Sequence, residues 1–200
     1  MKIYVPFKPE NPKSRLSGVL SPDERKKLAY FMLLDVIDAC GDCTVVSSSS
    51  SKLLEGIKHE IDNRSLDEAV TSRIKQNDAA IIMSDLALLT EKTVERFIEM
   101  DGDVVLAPGR KGGTNMLLSR SRQFYTSYHY GSFFKHVDIC RKLKLECRIF
   151  DSFFASVDID EEDDLLELVL HGRGKRSYEY LEDLGFYVDL SGKDPKLVRE

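Results

Sequence analysis

The run Ala79-Ala80-Ile81-Ile82-Met83 constrains this chain more than any other stretch. It carries no polar residue, and Ser84-Asp85 closes it. A strand with one wet face alternates apolar and polar side chains; an unbroken apolar run belongs to a strand covered on both faces. The neighbouring pattern supplies the cover. Lys2–Phe7, Cys43–Ser47, Asp103–Ala107 and Cys147–Phe153 read as further strands. Helices are predicted at Pro22–Cys40, Leu66–Gln76, from Thr90 to Met100, from Ser132 through Leu143 and at Glu162–Leu170. Ser21-Pro22-Asp23-Glu24 has the form of a capping box with proline in the first turn, and Gly41 stops the same helix. Strands alternating with helices imply an α/β fold: a Rossmann-like, mostly parallel sheet with helices on both faces.

The 200 residues suit one domain with a full core. Residues 172–200 read as a C-terminal extension holding a helix (Ser177–Leu184) and a strand (Phe186–Leu190) outside the main sheet, a place where a second subunit often pairs. A net charge of −5 argues against a nucleic-acid partner, which requires a basic footprint. No apolar stretch reaches membrane-spanning length, and the first residues are too soon interrupted to form a signal peptide, so a cytoplasmic protein without a membrane partner is expected. Cys40-Gly41-Asp42-Cys43 has CxxC spacing, but Cys140 and Cys147 are too far apart for a second zinc half-site. Four reduced, mostly buried thiols are expected.

In an open α/β sheet, ligands bind beyond the carboxyl ends of the strands. Asp85 stands at one such end. Asp158 and Asp160 follow the apolar run Phe150–Val157. If that run extends through Asp160, the i and i+2 carboxylates project together. Hard oxygen donors beside phosphates suit Mg²⁺. The loop after the first strand is stiffened by Pro6, Pro9 and Pro12 and carries Lys8, Lys13 and Arg15, cations able to hold a triphosphate. Gly109-Arg110-Lys111-Gly112-Gly113-Thr114-Asn115 reads as a loop whose glycines admit close approach of a ligand, with Thr114 and Asn115 adding hydrogen bonds. Gly131-Ser132 opens a helix, with Ser132 as its cap and an anion seat at its N-terminus. His136 reads as a packing residue and His129 as one able to reach a ligand, while the acidic run Glu161–Asp164 reads as a favourable first helical turn.

Taken in order and spacing, Val5-Pro6-Phe7-Lys8-Pro9 with Asn11-Pro12-Lys13-Ser14-Arg15-Leu16, Ser84-Asp85-Leu86-Ala87-Leu88-Leu89, Gly112-Gly113-Thr114-Asn115, Tyr130-Gly131-Ser132-Phe133 with His136, and Asp158-Ile159-Asp160 resemble the 2-phospho-L-lactate guanylyltransferase family. The resemblance runs from Tyr4 to about Leu168 and departs from the usual pattern at Ala87, where proline is common, and in the short Tyr130-Gly131-Ser132 segment. It implies a nucleotide-diphospho-sugar transferase-like fold. It also implies reaction of GTP with 2-phospho-L-lactate in coenzyme F-420 biosynthesis, Mg²⁺ on Asp85, Asp158 and Asp160, and a homodimer. Lys8, Lys13 and Arg15 would hold the leaving phosphates; Thr114, Gly131 and Ser132 would seat the small phosphorylated carboxylic acid. The rival readings are a nucleotidyltransferase acting on phosphoenolpyruvate, 3-phosphoglycerate, a sugar phosphate or molybdopterin, a nucleotide-sugar glycosyltransferase with an Asp-x-Asp metal site, and a domain that only binds nucleotide.

Overall fold

The computed structural model describes residues 1–200. Chain order is β1 (Lys2–Phe7), α1 (Pro22–Cys40), β2 (Cys43–Ser47), β3 (His59–Ile61), α2 (Leu66–Gln76), β4 (Ala79–Ile82), α3 (Glu91–Glu99), β5 (Val104–Pro108) and β6 (Thr114–Ser119). Then come α4 (Ser132–Leu143), β7 (Cys147–Ile149), α5 (Phe153–Ser156), α6 (Glu162–His171), α7 (Arg176–Asp183), β8 (Phe186–Asp189) and β9 (Lys196–Arg199). The first seven strands form one sheet in the order β3-β2-β1-β4-β6-β5-β7. All its neighbours pair in parallel except β6, which runs antiparallel to both β4 and β5.

β4 explains its own sequence. All four of its residues are fully buried. Ala80 and Ile82 enter the larger core, under α1, α3, α6 and α7, while Ala79 and Ile81 enter the smaller one, under α2 and α4. Alternate side chains feed opposite cores, so no position is left for a polar residue. The expected helix starts are also present. Ser21 and Glu24 form a reciprocal capping box at α1, Ser65 and Glu68 form another at α2, and Thr90 caps α3.

Four elements differ from expectation. β3 and β9 are strands that the sequence reading did not include. Thr114 and Asn115, read as the end of a loop, open β6 in the middle of the sheet. The run Cys147–Phe153 pairs only as far as Ile149, because β5 beside it ends in Pro108, which has no N–H to extend a ladder. Phe150 then plugs the core against Phe97, and the chain turns into the short helix α5. All four cysteines are free thiols.

The C-terminal segment folds back onto its own chain. β8 and β9 form a separate antiparallel hairpin, and Leu181 and Phe186 join the larger core. Arg199 pairs with Glu24 at the start of α1 (2.6 Å). The firmest tie is Asp35 of α1, only 2% exposed, which accepts the backbone N–H of Arg176 (2.8 Å) and Ser177 (3.0 Å) and the Ser177 hydroxyl (2.5 Å). Asp35→Ala strands these donors at the start of α7. It should cost about 2–4 kcal/mol, read as a lower urea midpoint at unchanged slope. A loss under about 0.5 kcal/mol would mean that apolar packing alone docks α7.

Candidate active site

Strands β1 and β4 are parallel, so the loop after β1 and the segment after β4 leave the same edge of the sheet. β6 is reversed, so its first residues arrive at that edge too. Ile82 of β4 pairs with Met116, and the Met83 amide donates to the Asn115 carbonyl (3.0 Å). Thr114 and Asn115 therefore belong to the site as the opening of an antiparallel strand, not as a loop after a parallel one. A register shift between Ala107 and Pro108 leaves Asn115 without a partner on β5, a bulge of the kind that re-aims side chains at functional edges.

The centre is an ionic knot. Lys13 Nζ lies 2.7 Å from Asp85 Oδ2 and 2.7 Å from Asp160 Oδ1. Asn11 and Lys13, both with left-handed backbones (φ 41° and 54°), curl the proline-stiffened loop inward to deliver it. Burial disfavours the ammonium, but Asp85 and Asp160 outweigh it and lift the Lys13 pKa above its usual value. Arg15, largely exposed, reaches the second oxygen of Asp160 at 3.3 Å. Lys8 is exposed and makes no ion pair, lining two adjoining cavities.

Asp158 and Asp160 project together, as expected, but not from a sheet strand. Residues 157–160 follow α5 outside the sheet and are pinned where the Ile159 amide donates to the Asp85 carbonyl (3.1 Å). Val157 and Ile159 are buried, so the two aspartates between and beyond them share the other side. Asp158 accepts a hydrogen bond from Asn115 (3.2 Å). Burial first, and then the charge of Asp85, hold its carboxyl above the usual range. For Asp160 burial also pulls upward, but Lys13 outweighs it and holds the carboxyl low. Both oxygens of Asp160 are thus engaged by cations, whereas Asp85 Oδ1 is buried with no hydrogen-bond partner. No group of three or more His, Cys, Asp or Glu side chains has the geometry to hold a metal ion. A three-aspartate metal cage is therefore not assembled, and the carboxylates free of cations are Asp85 Oδ1 and Asp158.

Two large cavities flank the knot. One, of about 460 Å³, lies against β1, β2, β4 and α2 and has apolar walls that include Tyr4, Val46, Val70 and Ile81. The other, of about 860 Å³, is polar and includes Arg15, Arg110, Lys111, Gly131, Ser132 and Asp158. Ser132 does not cap α4. Gly131 holds the cap position with φ 67°, and Ser132, the first helical residue, is buried and donates to Thr114 Oγ1 (3.2 Å). Asp164 accepts the backbone N–H of Asp160 (2.8 Å) and Glu161 (2.7 Å), so the acidic run does serve the start of α6. Two ion pairs the sequence did not reveal, Arg110–Asp164 and Lys111–Glu161, tie the glycine loop to the carboxylate segment. Both join charges some 50 residues apart, and no spacing rule reports such a contact.

His136 is fully buried, and both ring nitrogens are engaged, by Thr114 Oγ1 (2.9 Å) and the Ser127 amide (2.9 Å). His129 is exposed on the rim of the polar cavity. Burial pushes the His136 pKa down to about 4, with Asp67 opposing and Lys135 assisting. An unfolded histidine titrates near 6.5. Between these values the unfolded chain binds a proton that the native one refuses, so stability is fully present above about pH 6.5 and falls as pH drops toward 4. The loss attributable to this residue is on the order of 3 kcal/mol. It is checked by comparing urea midpoints at pH 7 and pH 4.5 in the parent and in His136→Asn, whose dependence should be shallower.

The family profile described as "Guanylyl transferase CofC like" matches residues 1–199. A relative from Ferroglobus placidus named 2-phospho-L-lactate guanylyltransferase is 67% identical, with 100% of each chain covered. One of the same name from Archaeoglobus fulgidus is 54% identical over 100% of this chain and 97% of its own. Among solved structures, a protein of Desulfovibrio desulfuricans provisionally described as a nucleotide-diphospho-sugar transferase has the same fold at TM-score 0.73 and 17% identity, covering 92% of this chain and 95% of its own. A nucleotidyl transferase from Methanothermobacter aligns at TM-score 0.57 and 11% identity, covering 91% and 99%. The chain belongs to the CofC-like guanylyltransferase family.

Proposed function

We propose that this protein transfers the guanylyl group of GTP to 2-phospho-L-lactate, forming lactyl-2-diphospho-5′-guanosine and releasing pyrophosphate on the route to coenzyme F-420. The carrying observation is the ionic knot of Lys13, Asp85 and Asp160, with Asp158 beside it, lying between an apolar cavity and a polar one lined by charges of both signs. The name shared by the relatives favours phospholactate over phosphoenolpyruvate, 3-phosphoglycerate, sugar phosphates or molybdopterin. Likeness to sugar-nucleotide transferases is one of fold alone.

The apolar cavity suits the flat base and ribose of GTP. Lys8, free of ion pairs, joins Lys13 and Arg15 in holding the triphosphate. The acceptor lies in the polar cavity among Arg15, Arg110, Lys111, Gly131 and Ser132, with Thr114 beneath. An acceptor phosphate oxygen attacks the α-phosphorus in line. The new P–O bond forms as the bond to the β-phosphate oxygen breaks, and pyrophosphate leaves on the lysines and arginine. The attacking phosphate is ionised at neutral pH, with a second pKa near 6, so no general base is required.

The donor set fits Mg²⁺ arriving with the nucleotide. Asp85 Oδ1 is buried without a partner, Asp158 is held by a single amide, and one or two carboxylates plus phosphate oxygens are the usual ligands of this ion. Bound there, it would neutralise the oxygens around the α-phosphorus and the departing pyrophosphate. Asp160, expected as a third ligand, serves in this reading to hold Lys13 and Arg15 until they meet the phosphates. A homodimer in the cytoplasm completes the proposal; light scattering reads the dimer directly. No helix is long and apolar enough to cross a membrane.

Incubation with GTP, Mg²⁺ and 2-phospho-L-lactate should release pyrophosphate, and a chelator should stop it; release only with phosphoenolpyruvate would reassign the acceptor. Two isosteric variants should move stability in opposite directions. Asp158 is ionised at a cost set by burial and Asp85, so Asp158→Asn should raise the Tm of the substrate-free protein. The Asp160 carboxyl is held low by Lys13, so it contributes stability above its unfolded pKa that is lost as pH falls, and Asp160→Asn should lower the Tm at neutral pH. Both should cut turnover by about 10²-fold or more. Near-normal turnover in either variant would sink its assigned role.

A further inference from the structure

Thr114 is the first residue of β6, and its hydroxyl has an unusually constrained set of neighbours. Ser132 Oγ donates to it at 3.2 Å, and His136 Nδ1 lies 2.9 Å away. The other nitrogen of the same ring, Nε2, lies 2.9 Å from the backbone nitrogen of Ser127. All three side chains are buried, at 4%, 5% and 0% exposure for Thr114, Ser132 and His136, so water does not compete for these bonds.

A backbone N–H can only donate. His136 Nε2 must therefore present its lone pair to Ser127, and in the neutral ring the proton sits on Nδ1. Nδ1–H then donates to Thr114 Oγ1. With the Ser132 hydroxyl donating as well, both acceptor sites of the Thr114 oxygen are filled. Its own hydrogen has no acceptor within the protein. A buried hydroxyl with both lone pairs taken is left with one capacity, that of a donor. Thr114 sits just behind the polar cavity, whose wall includes Gly113, the residue before it, and Ser132, its hydrogen-bond partner. The ring packs against Phe124 and Tyr128, whose centroids lie 5.8 and 5.1 Å away, and its orientation is set by the two hydrogen bonds.

We propose that His136 is a positioning residue for the acceptor subsite: held in one tautomer by the Ser127 amide, it commits the Thr114 hydroxyl to donate a hydrogen bond to an anionic oxygen of the phosphorylated acceptor. This rests on the functional reading above, which puts the acceptor in the polar cavity. The arrangement selects for an acceptor that brings a lone pair to Thr114 and against one that brings a donor there. It also predicts that His136 acts wholly through Thr114 and has no part in GTP binding, whose apolar cavity lies on the other side of the knot.

Two substitutions separate the two ring contacts. In His136→Asn the side-chain amide reaches the Nδ1 position, keeps the donor to Thr114 and abandons the Ser127 N–H. In His136→Gln the terminal amide reaches the Nε2 position, where its oxygen can accept from Ser127, and the donor to Thr114 is lost. His136→Gln should raise the KM for 2-phospho-L-lactate by about tenfold with the KM for GTP within about twofold of the parent. His136→Asn should have the lower Tm of the two and yet an acceptor KM within about threefold of the parent. Thr114→Val should raise the acceptor KM at least as much as His136→Gln, and the double variant should be no worse than Thr114→Val alone. An acceptor KM that simply follows Tm across the series, or additive effects in the double variant, would overturn the proposal. So would both KM values rising together. The tautomer is read without turnover from ¹⁵N–¹H spectra of histidine-labelled free protein, in which the signal absent from His136→Gln must show protonated Nδ1 and bare Nε2. A protonated Nε2 would overturn the proposal whatever the enzyme's acceptor proves to be. A parent that gives the expected tautomer but no turnover with phospholactate would fail the functional reading instead, and titration with inorganic phosphate would then have to shift the His136 signals for the subsite to stand.

Discussion

One buried ammonium governs the carboxyl edge of this sheet. Asp85, Asp158 and Asp160 converge at a partly buried edge, and like charges so placed repel more strongly than they would in open water. Lys13, at 2.7 Å from two of them, is the charge that lets the three stand together. Its delivery has a local cost, since Lys13 adopts a left-handed backbone conformation that asparagine, as at Asn11, accepts more readily than lysine does. The result is an ammonium fixed between two carboxylates, with Asp85 Oδ1 left without a hydrogen-bond partner.

The second organising device is a single reversed strand. In a wholly parallel sheet, Thr114 and Asn115 would leave at the far end of the molecule. Because β6 runs backward between β4 and β5, it opens at the ligand edge. Consecutive residues then serve opposite sides, with Thr114 facing His136 on α4 and Asn115 facing Asp158 and the Ala155 carbonyl. The fit is close. A Cβ on Gly109 would stand 2.1 Å from Asn115 Oδ1, so the glycine before the turn leaves room for the side chain that braces Asp158. Arg110–Asp164 and Lys111–Glu161 then bind that turn to the start of α6, and the two walls of the polar cavity become one unit.

Much of this was legible beforehand because it is written in local chemistry. The capping box at Ser21, the stop at Gly41 and the apolar run of β4 are rules of a few adjacent residues, and the elements they bound are where those rules put them. Cys147–Phe153 was misread because apolar composition continues past the point at which its partner strand, ending in Pro108, can offer hydrogen bonds. Thr114 and Asn115 look like loop because a glycine-rich turn precedes them, and direction of travel in a sheet is decided by pairing rather than by composition. The same limit applied to Ser132. Its side chain looks like a cap, but Gly131 tolerates the left-handed cap geometry and leaves the serine hydroxyl free to face Thr114.

By itself, then, the sequence determined the α/β class, the positions of most helices, the family resemblance and the residue types that meet at the carboxyl edge. These follow from short-range periodicity, capping and motif order, all of which survive without knowledge of distant contacts. Only the tertiary structure decided what those residues do to one another. It is long-range pairing that sets Lys13 between Asp85 and Asp160, leaves Asp85 Oδ1 without a partner, ties the C-terminal hairpin to Glu24 and the start of α7 to Asp35, and makes a core histidine the neighbour of Thr114. Hydrogen bonds and charges act over a few ångströms, and which groups lie within that range is a property of the folded chain alone.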